Sequence, residues 1–290
     1  MSDLQVTREI AETAQVDPTA EIGRFCYVGP KVTIGPRTVL RRRVTIVNRT
    51  VVGADNVIEE GCVLGALPQD LKYKGTATLL IIGDRNRFMR NVTAHIGTEL
   101  GGCFTRVADD VTLMDGSHVA HDCYVDNHAV LGRKVLLAGH THIQQGAVLG
   151  DLAGAHHFTT VGRYAKVGPR TPVRRDVPPY THFYSQEYES TPPAVRGIHD
   201  EGIAAAGLTA LEQRELRRAL GELFEDEAAL ATKIEQLVNL GIEGEVAKLC
   251  GFCQRSLQGV YGRYRELFRN EVPPEALDLM SQYKPNGEQE

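Results

Sequence analysis

From Val107 to Val173 the chain keeps an apolar residue at every sixth position: Val107, Leu113, Val119, Val125, Leu131, Leu137, Ile143, Leu149, Ala155, Val161, Val167 and Val173. An α-helix repeats every 3.6 residues and a strand every two, so neither alone sustains a strict six. A hexapeptide solenoid does: each repeat gives one short strand and one corner, with the apolar residue pointing into a narrow prism. The register also runs earlier, through Ile10, Val16, Ile22, Val28, Ile34, Leu40, Ile46, Val52, Ile58 and Leu64. Glycine follows several of these positions (Gly23, Gly29, Gly35, Gly53, Gly65), as suits a corner that needs positive φ or a close backbone approach. The fold class is therefore mainly β, a parallel β-helix of hexapeptide repeats.

The register breaks after Leu64. The stretch Gly65 to Gly75, which contains Gln69, Asp70, Leu71, Lys72 and Tyr73, reads as a loop thrown out from a corner. Register returns at Ile82, Phe88, Ala94 and Leu100, then slips by one residue near Gly101-Gly102. Pro178 and Pro179 remove ladder donors, so the strands are expected to end near Val173. An irregular linker is expected from Thr181 to about Leu208. Thr209-Ala210-Leu211-Glu212 is a capping box, and Leu216, Leu220, Leu223 and Phe224 behind it fall at helical spacing. Further apolar sets at Ile234, Leu237 and Val238, at Val246, Leu249 and Cys250, and at Val260, Tyr261, Tyr264, Leu267 and Phe268 predict three or four helices closing before Pro273-Pro274, with a frayed tail from Asn286. The expected division is a β-helix over residues 1–188 and a linker with a C-terminal α-helical domain over residues 189–290. Flat prism faces pair with copies of themselves, which predicts a homo-oligomer of closed symmetry.

A net charge of −5 gives no overall footprint of nucleic-acid binding. No apolar run is long enough for a transmembrane helix, and Met1 to Gln5 carries no secretory signal, so a cytoplasmic setting is expected. Six scattered cysteines form no disulfide framework, and Cys250 and Cys253 read as buried helix-face thiols.

Histidines concentrate in the coil: His95, His118, His121, His140, His142, His156 and His157. Successive coils are about three hexapeptides apart, so His121, His140 and His156 are placed to form a row along one edge. His121 follows the inward Val119 by two and is expected on an exposed edge, where an imidazole serves as a base near neutral pH. Asp122 can tune it, provided a corner lies between them, because adjacent strand residues point to opposite faces. Two other readings stay open: a histidine ladder that only stacks, and a zinc site shared between chains. β-Helix carbonic anhydrases hold zinc with three histidines, a pattern that His118 and His121 do not assemble. The arginine clusters 41–43, Arg85/Arg87/Arg90 and Arg170/Arg174/Arg175 are candidates for steering an acidic partner.

Gln69-Asp70-Leu71-Lys72-Tyr73, Gly83-Asp84-Arg85-Asn86, His118-Val119-Ala120-His121-Asp122-Cys123, Leu137-Ala138-Gly139-His140 and Asp176-Val177-Pro178-Pro179-Tyr180 occur in one order and spacing. In these the chain resembles the acyl-acyl carrier protein–UDP-N-acetylglucosamine O-acyltransferases, enzymes that begin lipid A synthesis. The resemblance covers residues 10 to 208 and, in general design, the helical tail. It implies a left-handed β-helix homotrimer in the cytoplasm with active sites between subunits. It implies transfer of a 3-hydroxyacyl chain from acyl carrier protein to the sugar 3-hydroxyl, with no cofactor beyond the carrier's phosphopantetheine. His121 matches the general base, Asp122 the acidic residue beside it, and the Gly139 N–H the oxyanion donor. Asp70, Lys72, His118, His140, His156 and Glu201 match substrate-pocket positions, and acyl carrier protein is acidic, which suits the arginine clusters.

The chain departs from the family around His199-Asp200-Glu201-Gly202. His199 replaces an asparagine, and Ala205 and Ala206 stand where the family has a paired arginine that grips the uridine diphosphate. Pro169 stands where some members measure acyl length. These departures keep two alternatives open: the same scaffold acylating another nucleotide sugar, such as a diamino sugar, or a paralogue that binds carrier protein or sugar nucleotide without turnover.

Overall fold

The computed structural model describes residues 8–186, 191–224, 229–274 and 277. Short parallel strands stack in three sheets of nine, eight and ten strands, each strand pairing with the one a coil away. Val119 pairs with Leu137, Leu137 with Ala155, and Ala155 with Val173, so one coil is eighteen residues. This is the predicted left-handed parallel β-helix. All twelve residues of the sixfold series from Val107 to Val173 are buried, none more than 4% exposed. At the N-terminal end of the described residues Ile10 is 38% exposed.

Of the glycines that follow an inward residue, Gly65 takes positive φ (84°) and Gly23, Gly29, Gly35 and Gly53 do not; elsewhere positive φ falls at another place in the repeat. That place is three residues after the inward one, at Phe25, Lys31, Arg37, Arg43, Asp122 and His140 among others. The glycines one step after the inward position instead answer to crowding: a Cβ at Gly35 would stand 2.7 Å from the Gly53 carbonyl of the next coil.

Two loops leave the prism. The first follows Val63–Ala66 and returns at Leu79–Ile82, as expected. The second lies between Thr93–His95 and Phe104–Val107 and contains a 3-10 turn at Glu99–Gly101. Leu100 sits in that turn and is 37% exposed, so it is a loop residue that happens to fall in register, and not an inward one.

The coil also runs past Val173. Val177 donates its N–H to Thr160 O at 2.8 Å and its carbonyl accepts from Gly162 N, so the chain stays on the ladder through the prolines. Thr181–Tyr184 then pairs in parallel with Lys166–Val167 and antiparallel with Ala194–Ile198. The expected irregular linker is thus a hairpin followed by helix α1, Asp200–Ala205. The expected boundary at 188/189 lies outside the described residues, in the connection between the two hairpin strands, as does the tail from Asn286.

Helices α2 (Ala210–Phe224), α3 (Leu230–Asn239) and α4 (Gly244–Gln258) bury Leu216, Leu220, Ile234, Leu249 and Phe252 in a second core that also takes in Tyr180 and Ile203. The capping box forms: Thr209 donates its N–H and hydroxyl to Glu212 at 2.8 and 2.7 Å, and Glu212 N–H returns to Thr209 Oγ1 at 3.3 Å. Cys250 and Cys253 are buried free thiols on α4. The last apolar set is no α-helix. Val260 bridges to Arg263, and Tyr264–Phe268 is a 3-10 turn with Leu267 exposed. Among the described residues no helix is long and apolar enough to cross a membrane.

Candidate active site

His121 and Asp122 occupy a corner of the prism, and Asp122 adopts φ 59° there. The left-handed residue breaks the strand alternation, so both side chains reach the same side. His121 Nδ1 lies 2.8 Å from Asp122 Oδ2. The condition set by the sequence, a corner between the two, is met. The carboxylate is itself held by the second loop: Thr98 donates its N–H to Oδ1 at 2.7 Å and its hydroxyl to Oδ2 at 2.6 Å. The Asp122 main-chain N–H in turn donates to Thr105 Oγ1 at 2.8 Å. A carboxylate held by Thr98 fixes the imidazole with its proton on Nδ1 and its lone pair on Nε2.

His121 is not on an exposed edge. It is 5% exposed and Asp122 is fully buried. The ring lies against Gly139, one coil on, where an added Cβ would stand 2.4 Å from His121 Cε1 and 2.6 Å from Nε2. Glycine is required at 139 because the imidazole occupies the space a side chain needs. At several other corners the equivalent N–H, two after the inward residue, is taken by a side-chain oxygen: Ala54 by Asp84 at 2.7 Å, Arg133 by Asp151 at 2.8 Å, and Arg163 by Gln144 at 3.1 Å. Among the described residues no side chain takes that of Gly139.

The histidine row is bent. His140 meets His121 edge-on at 5.3 Å between ring centroids, but its next neighbour along the corner is Phe158, stacked at 4.3 Å. His156 stands beside His157 instead, ring centroids 5.3 Å apart. Burial, reinforced by His121 and Arg265, pushes the His140 imidazole down to about 2, so it stays neutral. His118 is lowered chiefly by burial, and its Nδ1 lies 2.7 Å from the Thr93 hydroxyl. Donor atoms of His121, Asp122 and His140 all lie within 4.8 Å of one another, the spacing a metal ion needs. However, both Asp122 oxygens already accept hydrogen bonds from Thr98 or His121, which wires the cluster as an acid–base network.

A cavity of about 410 Å³ opens beside this corner, lined by Gln69, His118, His121, Gly139, His156 and Leu136 among others. The first loop therefore reaches the site at Gln69. Asp70 and Lys72 sit on the same loop, the Lys72 N–H donating to Asp70 Oδ1 at 2.9 Å. The larger cavity, about 700 Å³, lies beyond, lined by Arg170, Arg174 and Arg175. Pro172 and Arg174 line both, so the two adjoin. The other arginine clusters are largely answered by carboxylates: Arg42 and Arg43 by Glu60 at 3.1 and 3.0 Å, and Arg85 by Asp110 at 2.9 Å.

His199 and Glu201 are not brought to this corner. They gather on another sheet, with His199 Nε2 and Lys166 Nζ each 3.2 Å from Glu201 Oε2, and with His182 4.9 Å from His199 between ring centroids. The predicted site residues thus form two clusters on different faces of one chain. Arg265 and Thr98, which touch the first cluster, were missed. Thr98 carries no local signal beyond lying in an interruption of the register, and Arg265 is distant in sequence.

A β-helix with two thrown-out loops and an imidazole–carboxylate pair against a glycine corner defines a hexapeptide-repeat protein. The family model for UDP N-acetylglucosamine O-acyltransferase, domain 2, matches residues 176–261. An acyl-[acyl-carrier-protein]–UDP-N-acetylglucosamine O-acyltransferase of Verminephrobacter eiseniae is 39% identical over 240 residues, covering 83% of this chain and 90% of that one. The protein of the same name from Synechocystis is 34% identical over 207 residues, 71% and 73% of the two chains. The solved UDP-N-acetylglucosamine acyltransferase of Francisella novicida superposes with a TM-score of 0.79 at 28% identity, covering 93% of this chain and 94% of that one. The chain belongs to the acyl-[acyl-carrier-protein]–UDP-N-acetylglucosamine O-acyltransferase family.

Proposed function

We propose that the protein transfers a 3-hydroxyacyl chain from the phosphopantetheine thioester of acyl carrier protein to the 3-hydroxyl of UDP-N-acetylglucosamine, the first step of lipid A synthesis. The observation that carries this reading is His121, held through Nδ1 by Asp122 at 2.8 Å and packed against Gly139. Nε2 takes the proton of the sugar hydroxyl as its oxygen attacks the thioester carbonyl carbon. The Gly139 N–H, left without a side-chain acceptor, donates to the oxygen on which charge develops. Collapse of the tetrahedral intermediate expels the carrier thiolate, which recovers the proton from His121.

The remaining assignments follow the same reading. Asp70, Lys72, His118, His140 and His156 contact substrate around the corner, and His199 with Glu201 contact it from a second subunit of a homotrimer. The two-cluster arrangement supports this, because His199 and Glu201 lie apart from the His121 corner of their own chain. The arginines of the adjoining 700 Å³ cavity suit an acidic carrier. The protein works in the cytoplasm without a metal or bound cofactor, and its working division is a β-helix to residue 188 and a helical domain thereafter.

A second reading is favoured by one observation. Ala205 is exposed at the end of α1 and Ala206 follows it, so neither presents a cation to a diphosphate. The acceptor is then a different nucleotide sugar, a diamino sugar among them. Incubation with 3-hydroxyacyl carrier proteins and a panel of nucleotide sugars decides between the two. Acylation of UDP-N-acetylglucosamine supports the first, acylation of a diamino acceptor alone supports the second, and binding without product for every acceptor sinks both.

A further inference from the structure

Beyond α4 the chain turns back onto the β-helix. The turn is pinned by Asp176: its N–H donates to Gly262 O at 2.8 Å, and its carboxylate accepts from Thr160 N–H at 2.7 Å and Tyr264 N–H at 2.9 Å. Arg263 Nη1 donates to Arg174 O at 3.0 Å. The 3-10 turn Tyr264–Phe268 then lies along the corner that carries the site. Arg265, only 2% exposed, donates from Nε to the His140 carbonyl at 3.0 Å. Its guanidinium carbon stands 4.8 Å from the centre of the Tyr124 ring. Arg269 caps the stack from the other side, 5.0 Å from the centre of Phe158, on which His140 lies. The match to the domain-2 family model ends at residue 261, before Arg263, Arg265 and Arg269.

We propose that the segment from Arg263 to Arg269 is an added wall of the active site, and that Arg265 is a positioning residue that fixes the corner made by Gly139 and His140. His140 has φ 62°, a conformation that a non-glycine residue holds only when its surroundings enforce it. The same conformation recurs at the other corners of the solenoid, and at this one the bond to the carbonyl and the stack on Phe158 hold it in addition. Fixing this residue fixes the peptide that joins it to Gly139, and so restrains Gly139, whose Cα face lies against the His121 ring. Burying a guanidinium is costly unless its charge is met, and the Tyr124 face and the His140 carbonyl are among the groups that meet it. A buried cation on the carbonyl of the residue after Gly139 is a means of holding geometry.

This inference rests on His121, Gly139 and His140 being the reacting site, so the test separates the two claims. In the full chain, Arg265→Gln should lower kcat by roughly ten- to a hundredfold, with KM for both substrates within about twofold. Arg265→Lys, which keeps a cation and a donor, should recover most of that loss. The backbone amide of Thr141, whose peptide contains the His140 carbonyl, should shift in a backbone NMR spectrum of Arg265→Gln and return towards its original position in Arg265→Lys. An unchanged kcat in Arg265→Gln, or a risen KM with kcat intact, overturns the positioning role. Failure of both variants to fold assigns Arg265 to stability alone and also overturns it. If the unmodified chain turns over no acceptor, the functional reading fails, and the Thr141 amide still decides: unmoved in Arg265→Gln, it shows that Arg265 does not hold the corner.

Discussion

His121 Nδ1 and Asp122 Oδ2 lie 2.8 Å apart although the residues are neighbours in sequence, because the left-handed conformation of Asp122 turns the chain between them. Asp122→Asn places an amide where the Nδ1 proton and the Thr98 hydroxyl now donate. The expected outcome is a fall in kcat of about 10²–10⁴ with KM little changed, because the base is left in the wrong tautomer. Steady-state kinetics on the purified variant, with circular dichroism as the fold control, checks this.

Gly139→Ala puts a methyl group 2.4 Å from His121 Cε1. The imidazole must move, since the corner backbone on the other side is laddered to the next coil. Activity should drop at least as far as in a variant that lacks the base. A structure of Gly139→Ala should show the His121 ring displaced from Asp122. Full activity with an unmoved ring would mean that the corner is more yielding than described.

Asp176 is buried, and burial pushes its carboxyl up to about 6, against an ordinary value of 3.8. The folded chain therefore takes up this proton at a higher pH than the unfolded chain. Stability from this group is lowest above about pH 6 and rises as pH falls from about 6 towards about 4. The Tm of the unmodified protein relative to Asp176→Asn should accordingly improve between pH 7 and pH 5. A gap that is flat or moves the other way counts against it.

Burial pushes the thiols of Cys62, Cys123 and Cys253 up to about 12, and those of Cys26 and Cys250 above their ordinary value. A thiol-reactive chromophore should therefore label these five slowly in the native protein and fully after denaturation. Rapid native labelling of Cys250 and Cys253 would contradict their burial on α4.

The core was legible in the sequence because a solenoid writes its packing as a period: each inward Val, Leu or Ile from Val107 to Val173 is buried where the register puts it. Periodicity also misled where a loop matched it by coincidence, as at Leu100. Thr181–Tyr184 was hidden because prolines precede both it and its hairpin partner, Ala194–Ile198, and neither keeps the sixfold register. At the site, the pairing of His121 with Asp122 was readable from their adjacency and the need for a corner between them. The burial of His121 was not, because it depends on Gly139 and Asp122 closing over a corner that strand alternation does not describe. The contact of Arg265 with His140 spans 125 residues and has no local signature at all.

The central claim is that His121 is the base of an acyl transfer to a nucleotide sugar. The most direct measurement is an endpoint mass spectrum of UDP-N-acetylglucosamine incubated with mixed 3-hydroxyacyl carrier proteins and either the unmodified protein or His121→Ala. The account predicts a product at the acylated mass with the unmodified protein and none with the variant, both proteins having the same oligomeric size. Equal product from both would contradict the role of His121, and no product from either would contradict the assigned reaction.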